Sequence, residues 1–251
     1  MSRSRRISGI HAVRTALWHG AGALERVWYD PARRDRRLGQ LLSELRRAGL
    51  APEAAERRQL DRLAGGAAHQ GIVAEVSMPA ALDEKALDDL LADIDEPPFL
   101  LVLDGVQDPH NLGACLRSAD AAGVQAVIAP RDRASGLTPV ACKVASGAAE
   151  SVPFIQVTNL ARTLRHLRDA YHIFVVGTAG EAETSLYDAD LKGPLAIVTG
   201  NEEKGLRRLT REQCDRLVRL PMAGVVESLN VSVATGIALF EALRQRSADV
   251  K

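Results

Sequence analysis

The spacing of apolar residues changes near residue 99. From there to the end, short apolar runs alternate with amphipathic stretches of helical period. This alternation predicts a parallel sheet with helices between its strands. The predicted strands of this part are residues 99–104, 124–129, 152–157, 172–178, 194–200 and 216–221.

The preceding residues, 1–78, predict a separate small α/β module. Residues 2–6 are a basic arm that we expect to be mobile, and the apolar pattern then predicts two strands and three helices. Leu38, Leu41, Leu42 and Leu45 share one face of the middle helix, whose opposite face is rich in arginine. The predicted helices lie within 7–18, 35–48 and 56–63, and the predicted strands are 24–29 and 71–76.

The segment 79–98 is bounded by prolines and carries seven acidic residues and one lysine. Its leucines predict a short helix, so we expect a semi-ordered linker between the two modules. The predicted domains are therefore residues 1–78, a linker at 79–98, and residues 99–251.

The last helix follows a polar loop at residues 222–230. Val233, Ile237 and Phe240 recur at helical spacing and predict its buried face. Ser228 and Asn230 precede the helix, where polar side chains either cap the first turn or bind a ligand. Taken alone, this stretch leaves both interpretations open.

The charge is unevenly distributed, although the formal net charge is zero. Residues 1–80 carry fourteen Arg and no Lys against eight acidic residues, a balance of +6. Such a module suits contact with RNA phosphates, and a solvated arginine-rich face is the alternative. The three cysteines are far apart, which argues against a zinc site or a disulfide framework. Without a long apolar run we expect no membrane segment, no metal and a cytoplasmic protein.

Two more polar loops follow predicted strands, at residues 104–111 and 200–206. Carboxyl ends of parallel strands meet at one edge of a sheet, so we expect both loops to meet the loop at 222–230. Lys204 precedes Gly205 and no Ser or Thr follows, so the second loop is not a P-loop. Three polar loops at one edge predict a ligand site more readily than three separate helix caps.

The three loops resemble the three motifs of the SpoU (TrmH) branch of the SPOUT RNA methyltransferases. The matching stretches are NLGACLR at 111–117, TGNEEKGL at 199–206 and LPMAGVVESLNVSVATGIALFE at 220–241. In the front module, GIHAVRTAL at 9–17 and HQGIVAEV at 69–76 are similar to a substrate-binding domain. That domain occurs in members that methylate a guanosine ribose 2′-oxygen in the peptidyl-transferase region of 23S rRNA.

This resemblance implies an L30e-like front domain followed by an α/β methyltransferase domain with a deep trefoil knot. It also implies S-adenosyl-L-methionine as cofactor, 23S rRNA or a large-subunit precursor as substrate, and a homodimer with the active site near the subunit interface. The positions that match the catalytic set are Asn111, Arg117, Glu202, Ser228 and Asn230. The positions implied for the cofactor are Thr178, Gly200, Leu220, Met222 and Leu229. The front-domain arginines expected to add RNA affinity include Arg33, Arg34, Arg36 and Arg37.

A guanidinium is a poor base at neutral pH, since its pKa lies above about 12. We therefore expect Arg117 to bind the phosphate and stabilise the developing 2′-oxyanion, with Asn111, Ser228 and Asn230 orienting the hydroxyl. Glu202 is expected to fix Arg117 or its own loop. A transfer-RNA 2′-O-methyltransferase of the same fold, or a non-catalytic RNA-binding assembly factor, are the alternatives.

Overall fold

The computed structural model describes residues 4–18, 24–201 and 204–247. These residues form two compact units that divide between Pro79 and Ala80.

The front unit is built on a four-stranded sheet with three helices. Its strand order is β1-β4-β2-β3, with β1 and β2 antiparallel to β4 and β3 parallel to β2. The elements are β1 (Ser4–Ser8), α1 (Ile10–Trp18), β2 (Leu24–Tyr29), α2 (Arg36–Arg47), β3 (Glu53–Ala54), α3 (Arg57–Ala64) and β4 (Ile72–Ser77).

The helix α2 begins where the sequence predicts, because Asp35 caps it. The Asp35 side chain accepts a hydrogen bond from the backbone N–H of Arg37, one of the unpaired donors of the first turn. The four predicted leucines of α2 are all buried, and they pack in one cluster with Ile72, Ala74 and Val76 of β4.

The prediction of a mobile arm at residues 2–6 is wrong for its described part. Residues 4–8 form β1, in which Ile7 pairs with Ala74 and the Ser4 hydroxyl donates to Glu75 at 2.7 Å. The pairing partners lie in β4, far along the chain, so no local pattern indicates this strand.

The second unit contains a seven-stranded sheet in which every pairing is parallel, as predicted. Its strand order is β7-β6-β5-β10-β8-β11-β9, so β5 and β10 lie in its interior. The elements are α4 (Glu84–Asp93), β5 (Phe99–Asp104), α5 (Pro109–Ala121), β6 (Ala126–Pro130), α6 (Pro139–Ala145), α7 (Ala148–Ser151), β7 (Phe154–Val157), α8 (Leu160–Tyr171), β8 (Phe174–Thr178), β9 (Thr184–Ser185), β10 (Leu195–Gly200), α9 (Arg208–Arg211), β11 (Arg216–Arg219) and α10 (Val231–Ser247).

The acidic segment before β5 is part of this unit, which differs from the predicted linker at 79–98. Leu87 and Leu91 of α4 lie in the same core cluster as the strands. The Glu84 carboxylate accepts hydrogen bonds from the backbone N–H and hydroxyl of Thr158, at 2.8 and 2.9 Å. The charge balance of the segment gives no sign of this packing, because its apolar residues, and not its acidic ones, pack on the core.

The buried face of α10 is not the one that its apolar spacing predicts. Val233 and Phe240 are 50% and 49% exposed. The residues of α10 that are buried are Val231, Thr235, Ala238, Leu239, Glu241 and Ala242. The helix carries apolar side chains on both faces, so periodicity alone selects neither, and packing against α5 and β10 decides the orientation.

The three cysteines are present as thiols. Cys115 and Cys142 are buried, and burial raises the pKa of Cys214 to about 12. A thiol with so high a pKa carries little of the reactive thiolate at neutral pH.

In the described part of the chain, no helix is both long and apolar enough to cross a membrane. The trefoil knot implied by the resemblance stays a prediction.

Candidate active site

A cleft of about 410 Å³ opens at the carboxyl edge of the second unit's sheet, where β8, β10 and β11 end. The segments after these three strands supply its walls, together with the start of α10. All five residues predicted for the cofactor line this one cleft: Thr178, Gly200, Leu220, Met222 and Leu229.

The wall after β10 is a tight loop that requires glycine. Asn201 and Gly205 exchange two backbone hydrogen bonds, of 3.1 and 2.8 Å, which fold the loop back on itself. A Cβ placed on Gly200 would lie 2.3 Å from the Gly205 carbonyl carbon, so no other residue fits without displacing the loop. The predicted Glu202 belongs to this loop and lies outside the described residues.

The loops after β5 and β10 are tied together by Asp104, whose side chain is buried. One carboxylate oxygen accepts the backbone N–H of Arg207 at 2.7 Å, and the other lies 3.4 Å from the Arg207 Nε. The side-chain amide of Asn201 also donates to the Gly105 carbonyl at 3.3 Å. Two of the three predicted loops therefore meet at this edge.

The loops before α5 and α10 meet through a pair of asparagines. Asn111 lies in the first turn of α5 and is 8% exposed. The Nδ2 of Asn230 donates to the Oδ1 of Asn111 at 3.0 Å. The Oδ1 of Asn230 accepts from the backbone N–H and hydroxyl of Ser232, at 3.0 and 2.6 Å. Asn230 therefore caps α10 and also contacts the first motif.

The cap of α5 is Asp108. Its carboxylate accepts the backbone N–H of His110 at 2.9 Å. This hydrogen bond and the His110 side chain hold the pKa of Asp108 below its usual range. Asn111 therefore does not cap α5, and its side-chain carbonyl oxygen accepts the hydrogen bond from Asn230.

The three motifs also meet in the interior of the unit, through hydroxyl and thiol groups. The Thr235 hydroxyl of α10 donates to the Thr199 hydroxyl of β10 at 3.2 Å. The Cys115 thiol of α5 lies 3.7 Å from the same Thr235 oxygen. All three side chains are buried. The sequence indicates these residues only through their position inside the three motifs.

At the mouth of the cleft, Glu181 forms an ion pair with Arg211. The backbone amide of Glu181 itself and the Arg211 guanidinium hold the pKa of this carboxylate below its usual range. Neither residue was predicted from the sequence. Glu181 and Glu227 therefore place two acidic side chains at the rim of the cleft.

The remaining two catalytic predictions have different positions. Ser228 lines the cleft and is exposed. Arg117 is exposed on α5, about 9 Å along the helix axis from Asn111, and is not among the residues lining the cleft. Within the described ranges, no side chain forms a hydrogen bond or ion pair with it. One chain by itself therefore brings Asn111, Ser228 and Asn230 to the cleft region and leaves Arg117 on the outer face of α5.

The four arginines predicted for RNA contact are all exposed on the front unit. Arg33 pairs with Asp35 at 3.0 Å. That contact and the backbone N–H of Arg37 hold the pKa of Asp35 below its usual range. Arg36 lines a groove between α1 and α2.

The cleft offers no metal site among the residues described here, since no group of three or more His, Cys, Asp or Glu side chains converges in them.

Comparison with known proteins agrees with this geometry. Residues 98–240 match the SpoU rRNA Methylase family, and residues 6–82 match the family "RNA 2'-O ribose methyltransferase substrate binding". The chain is 57% identical over 246 residues to the 23S rRNA (guanosine-2'-O-)-methyltransferase RlmB of Shewanella oneidensis, covering 98% of this chain and 99% of the relative. It is 56% identical over 244 residues to the RlmB of Escherichia coli strain K12, covering 97% of this chain and 100% of the relative.

A solved structure of similar architecture is the SpoU methyltransferase AviRb from Streptomyces viridochromogenes, in complex with its cofactor AdoMet. It superposes with a TM-score of 0.79 at 28% identity, covering 98% of this chain and 91% of that one. Both units and all three motifs lie within these matches, so the chain belongs to the SpoU rRNA methylase family.

Proposed function

We propose that this protein transfers a methyl group from S-adenosyl-L-methionine to the ribose 2′-oxygen of a guanosine in 23S rRNA. The observation that carries the proposal is the hydrogen bond between Asn111 and Asn230, which joins two motifs beside the cleft. The names of the relatives, which are 23S rRNA guanosine-2'-O-methyltransferases over nearly the whole chain, support the same substrate. The location of the guanosine in the peptidyl-transferase region stays a prediction.

The cleft fits the proposed cofactor in size and in lining. Its volume lies within the range of small-molecule sites, about 300–1,000 Å³. Leu220, Met222 and Leu229 provide apolar walls for a purine, and the residues Thr178 and Gly200 provide backbone at the strand ends. When bound, the cofactor supplies a methyl group that a sulfonium activates for attack by an oxygen nucleophile.

The chain's own polar groups then orient the ribose. Asn111 and Asn230 hold each other in fixed positions, so both side-chain amides are preorganised beside the cleft to orient a hydroxyl. Ser228 adds a hydroxyl at the cleft wall. Arg117 binds the phosphate and stabilises charge that develops on the 2′-oxygen, and Glu202 fixes Arg117 or its own loop.

The proposal includes a homodimer. In this dimer, Arg117 of one subunit reaches the sugar that is bound at the other subunit's cleft. Val233, Ile237 and Phe240 form an apolar stripe on α10, in which Val233 and Phe240 are exposed and Ile237 is half-buried. Exposed stripes of this kind mark interfaces, and a twofold dimer is the commonest closed assembly. A Cβ on Gly236, within the stripe, would lie 3.6 Å from the hydroxyl of Ser118, the neighbour of Arg117. An interface on the stripe therefore adjoins Arg117.

A complementation experiment tests the dimer. Arg117→Ala and Asn230→Ala proteins, each inactive, are unfolded together and refolded as an equal mixture. If the partner supplies Arg117, half of the dimers are mixed and each has one intact site, so about one quarter of wild-type activity returns. If both residues act within one chain, no mixed site is intact and activity stays absent. Phe240→Glu serves as a second test, since a charge on the stripe is expected to convert the dimer to a monomer in analytical ultracentrifugation.

Mapping of 2′-O-methyl groups in RNA from a deletion strain tests the reaction itself. The proposal expects one guanosine of 23S rRNA to lose its methyl group and to regain it when the wild-type gene is restored. Loss confined to transfer RNA would contradict the proposed substrate. Unchanged methylation together with a ribosome-assembly defect would contradict catalysis. Calorimetric titration with S-adenosyl-L-methionine distinguishes an enzyme from an assembly factor, because an assembly factor has no need to bind the cofactor.

A further inference from the structure

A groove of about 660 Å³ lies between α1 and α2 of the front unit. It is shallow and open, and two of its features, an exposed aromatic side chain and an excess of positive charge, have no structural role in the unit. The residues that matter to its chemistry are Arg14, Trp18, Arg36, Gly39, Glu44 and Arg47.

The aromatic side chain is Trp18, at the end of α1, and it is 74% exposed. The other tryptophan of the chain, Trp28, is 4% exposed and packs in a small core of its own. An exposed indole that packs on little of its own protein offers a flat apolar face. Unpaired nucleic-acid bases stack on such faces without regard to sequence.

The charge in the groove is positive after its internal pairs are formed. Glu44 accepts a hydrogen bond from the Nε of Arg14 at 3.1 Å and so compensates one arginine. Arg47 donates its Nε to the Ser43 carbonyl at 3.4 Å, which leaves its charge uncompensated. The side chain of Arg36 forms no hydrogen bond or ion pair with any residue of the described ranges. Two guanidinium groups therefore remain for an anionic partner.

The floor of the groove is kept open by Gly39. This residue lies inside α2, where glycine is less favourable than alanine. No atom lies within 4 Å of a Cβ placed on it, so crowding does not explain the glycine. The missing side chain instead leaves the backbone of α2 uncovered at this point of the groove.

We propose that this groove binds a single-stranded segment of the RNA substrate, with one base stacked on Trp18 and the flanking phosphates paired with Arg36 and Arg47. The inference rests on the proposed function, because it takes RNA as the substrate. A peptide is the less suitable occupant. Grooves that bind peptides present several apolar side chains, whereas Trp18 is the single large apolar side chain among the described residues that line this one.

Trp18 is also the probe for the first experiment, which uses the full-length wild-type protein. Because Trp28 is buried, quenching of tryptophan fluorescence on RNA binding reports on Trp18. A short single-stranded RNA of mixed sequence is expected to quench the fluorescence and to protect it from iodide. Unchanged emission, at RNA concentrations that saturate binding measured by anisotropy, would overturn the proposal. Equal quenching by a polyglutamate peptide would overturn the choice of RNA.

Matched substitutions supply the second experiment. Trp18→Ala is expected to raise the Kd for rRNA about 5- to 10-fold, the lower range of one lost base stack, and Trp18→Phe to raise it less. Arg47→Glu is expected to weaken binding and to flatten its salt dependence, as expected for a lost phosphate contact. Arg46→Glu makes the same charge change one residue earlier on α2, outside the groove, and is expected to have a much smaller effect. Equal effects of the two arginine variants would reject the groove in favour of general electrostatic attraction.

Methylation of rRNA by the purified enzyme separates the two proposals. If RNA quenches Trp18 but the enzyme never methylates RNA, the proposed function fails and the groove stands. If methylation proceeds with the same KM in the wild type and in Trp18→Ala, the groove fails and the proposed function stands.

Discussion

The Nδ2 of Asn230 donates a 3.0 Å hydrogen bond to the Oδ1 of Asn111, across 119 positions of the chain. The same Asn230 side chain accepts the backbone N–H of Ser232 through its oxygen. Its amide plane is therefore fixed at both ends, by α5 on one side and by α10 on the other. A side chain held in this way loses little freedom when a substrate hydroxyl arrives.

The asparagine pair leads to a first prediction. Asn230→Ala is expected to lower kcat about 100-fold or more, the loss found when one preorganised donor is removed from an active site. Asn111→Asp, which retains an acceptor for Asn230, is expected to lose less than Asn111→Ala. Methyl incorporation into rRNA under single-turnover conditions measures the three variants. Equal activities of Asn111→Asp and Asn111→Ala would show that the hydrogen bond between the two side chains is unimportant.

Arg117 permits a test of its chemical role. Lysine keeps the charge but has no planar fork for bidentate contact with a phosphate. Arg117→Lys is therefore expected to lower kcat at least 10-fold and to weaken RNA binding. Binding of S-adenosyl-L-methionine is expected to stay unchanged, since Arg117 does not line the cleft. Near-normal turnover with unchanged RNA affinity would rule out the bidentate contact.

The buried hydroxyl pair of Thr235 and Thr199 contributes to the stability of the catalytic unit. Thr235→Val removes a buried hydrogen-bond partner and is expected to lower the free energy of unfolding by about 1–2 kcal/mol. In a double-mutant cycle with Thr199→Val, the double variant is expected to lose less than the two single losses added together, because both hydroxyls are then absent. Urea unfolding followed by circular dichroism measures all four proteins. Strict additivity would indicate that the two hydroxyls do not interact.

The loop after β10 is expected to tolerate no side chain at Gly200. Gly200→Ala places a methyl group 2.3 Å from the Gly205 backbone, which costs about 1–3 kcal/mol of stability or displaces the loop. Either outcome is expected to weaken S-adenosyl-L-methionine binding in calorimetric titration. Gly180→Ala is the control in the same cleft, because no atom lies within 4 Å of its added Cβ. An affinity that falls equally in both variants would mean that the methyl group itself, and not the loop, obstructs the cofactor.

Acid is expected to weaken the anchoring of α4 through Glu84. The backbone N–H of Thr158 and then its hydroxyl hold the pKa of the Glu84 carboxylate below its usual range. A carboxylate whose pKa is lowered by folding stabilises the protein above its unfolded-state pKa, near 4.3, and this contribution disappears as the pH falls through the lower folded-state pKa.

Glu84→Ala is therefore expected to reduce the free energy of unfolding by about 1 kcal/mol at neutral pH, with the difference from wild type shrinking below about pH 4. Asp89→Ala removes a carboxylate from the same helix that has no hydrogen bond to Thr158, and it is the control for loss of a charge. Unfolding titrations of both variants at several pH values measure the differences from wild type. A Glu84→Ala difference that is constant with pH would contradict the account.

Much of this architecture follows from the sequence itself. The parallel sheet is predictable because each buried strand needs a continuous apolar run, and α2 is predictable because its four leucines share one face and Asp35 caps it. The motif residues 111–117, 199–206 and 220–241 indicate the family, and the matches confirm it. Local patterns carry this information because they act within a few residues of the chain.

Only the tertiary structure decided which surfaces meet. The strand β1 exists through its pairing with β4, and α10 buries Thr235 and Leu239 instead of Val233 and Phe240 because α5 and β10 select that face. The acidic α4 joins the second unit through Leu87 and Leu91, which enter its core. Contacts between residues far apart in the chain decide each of these, and no short window of sequence contains both partners. The same holds for Asn111 and Asn230, whose side chains become a pair only when the sheet brings their two loops to one edge.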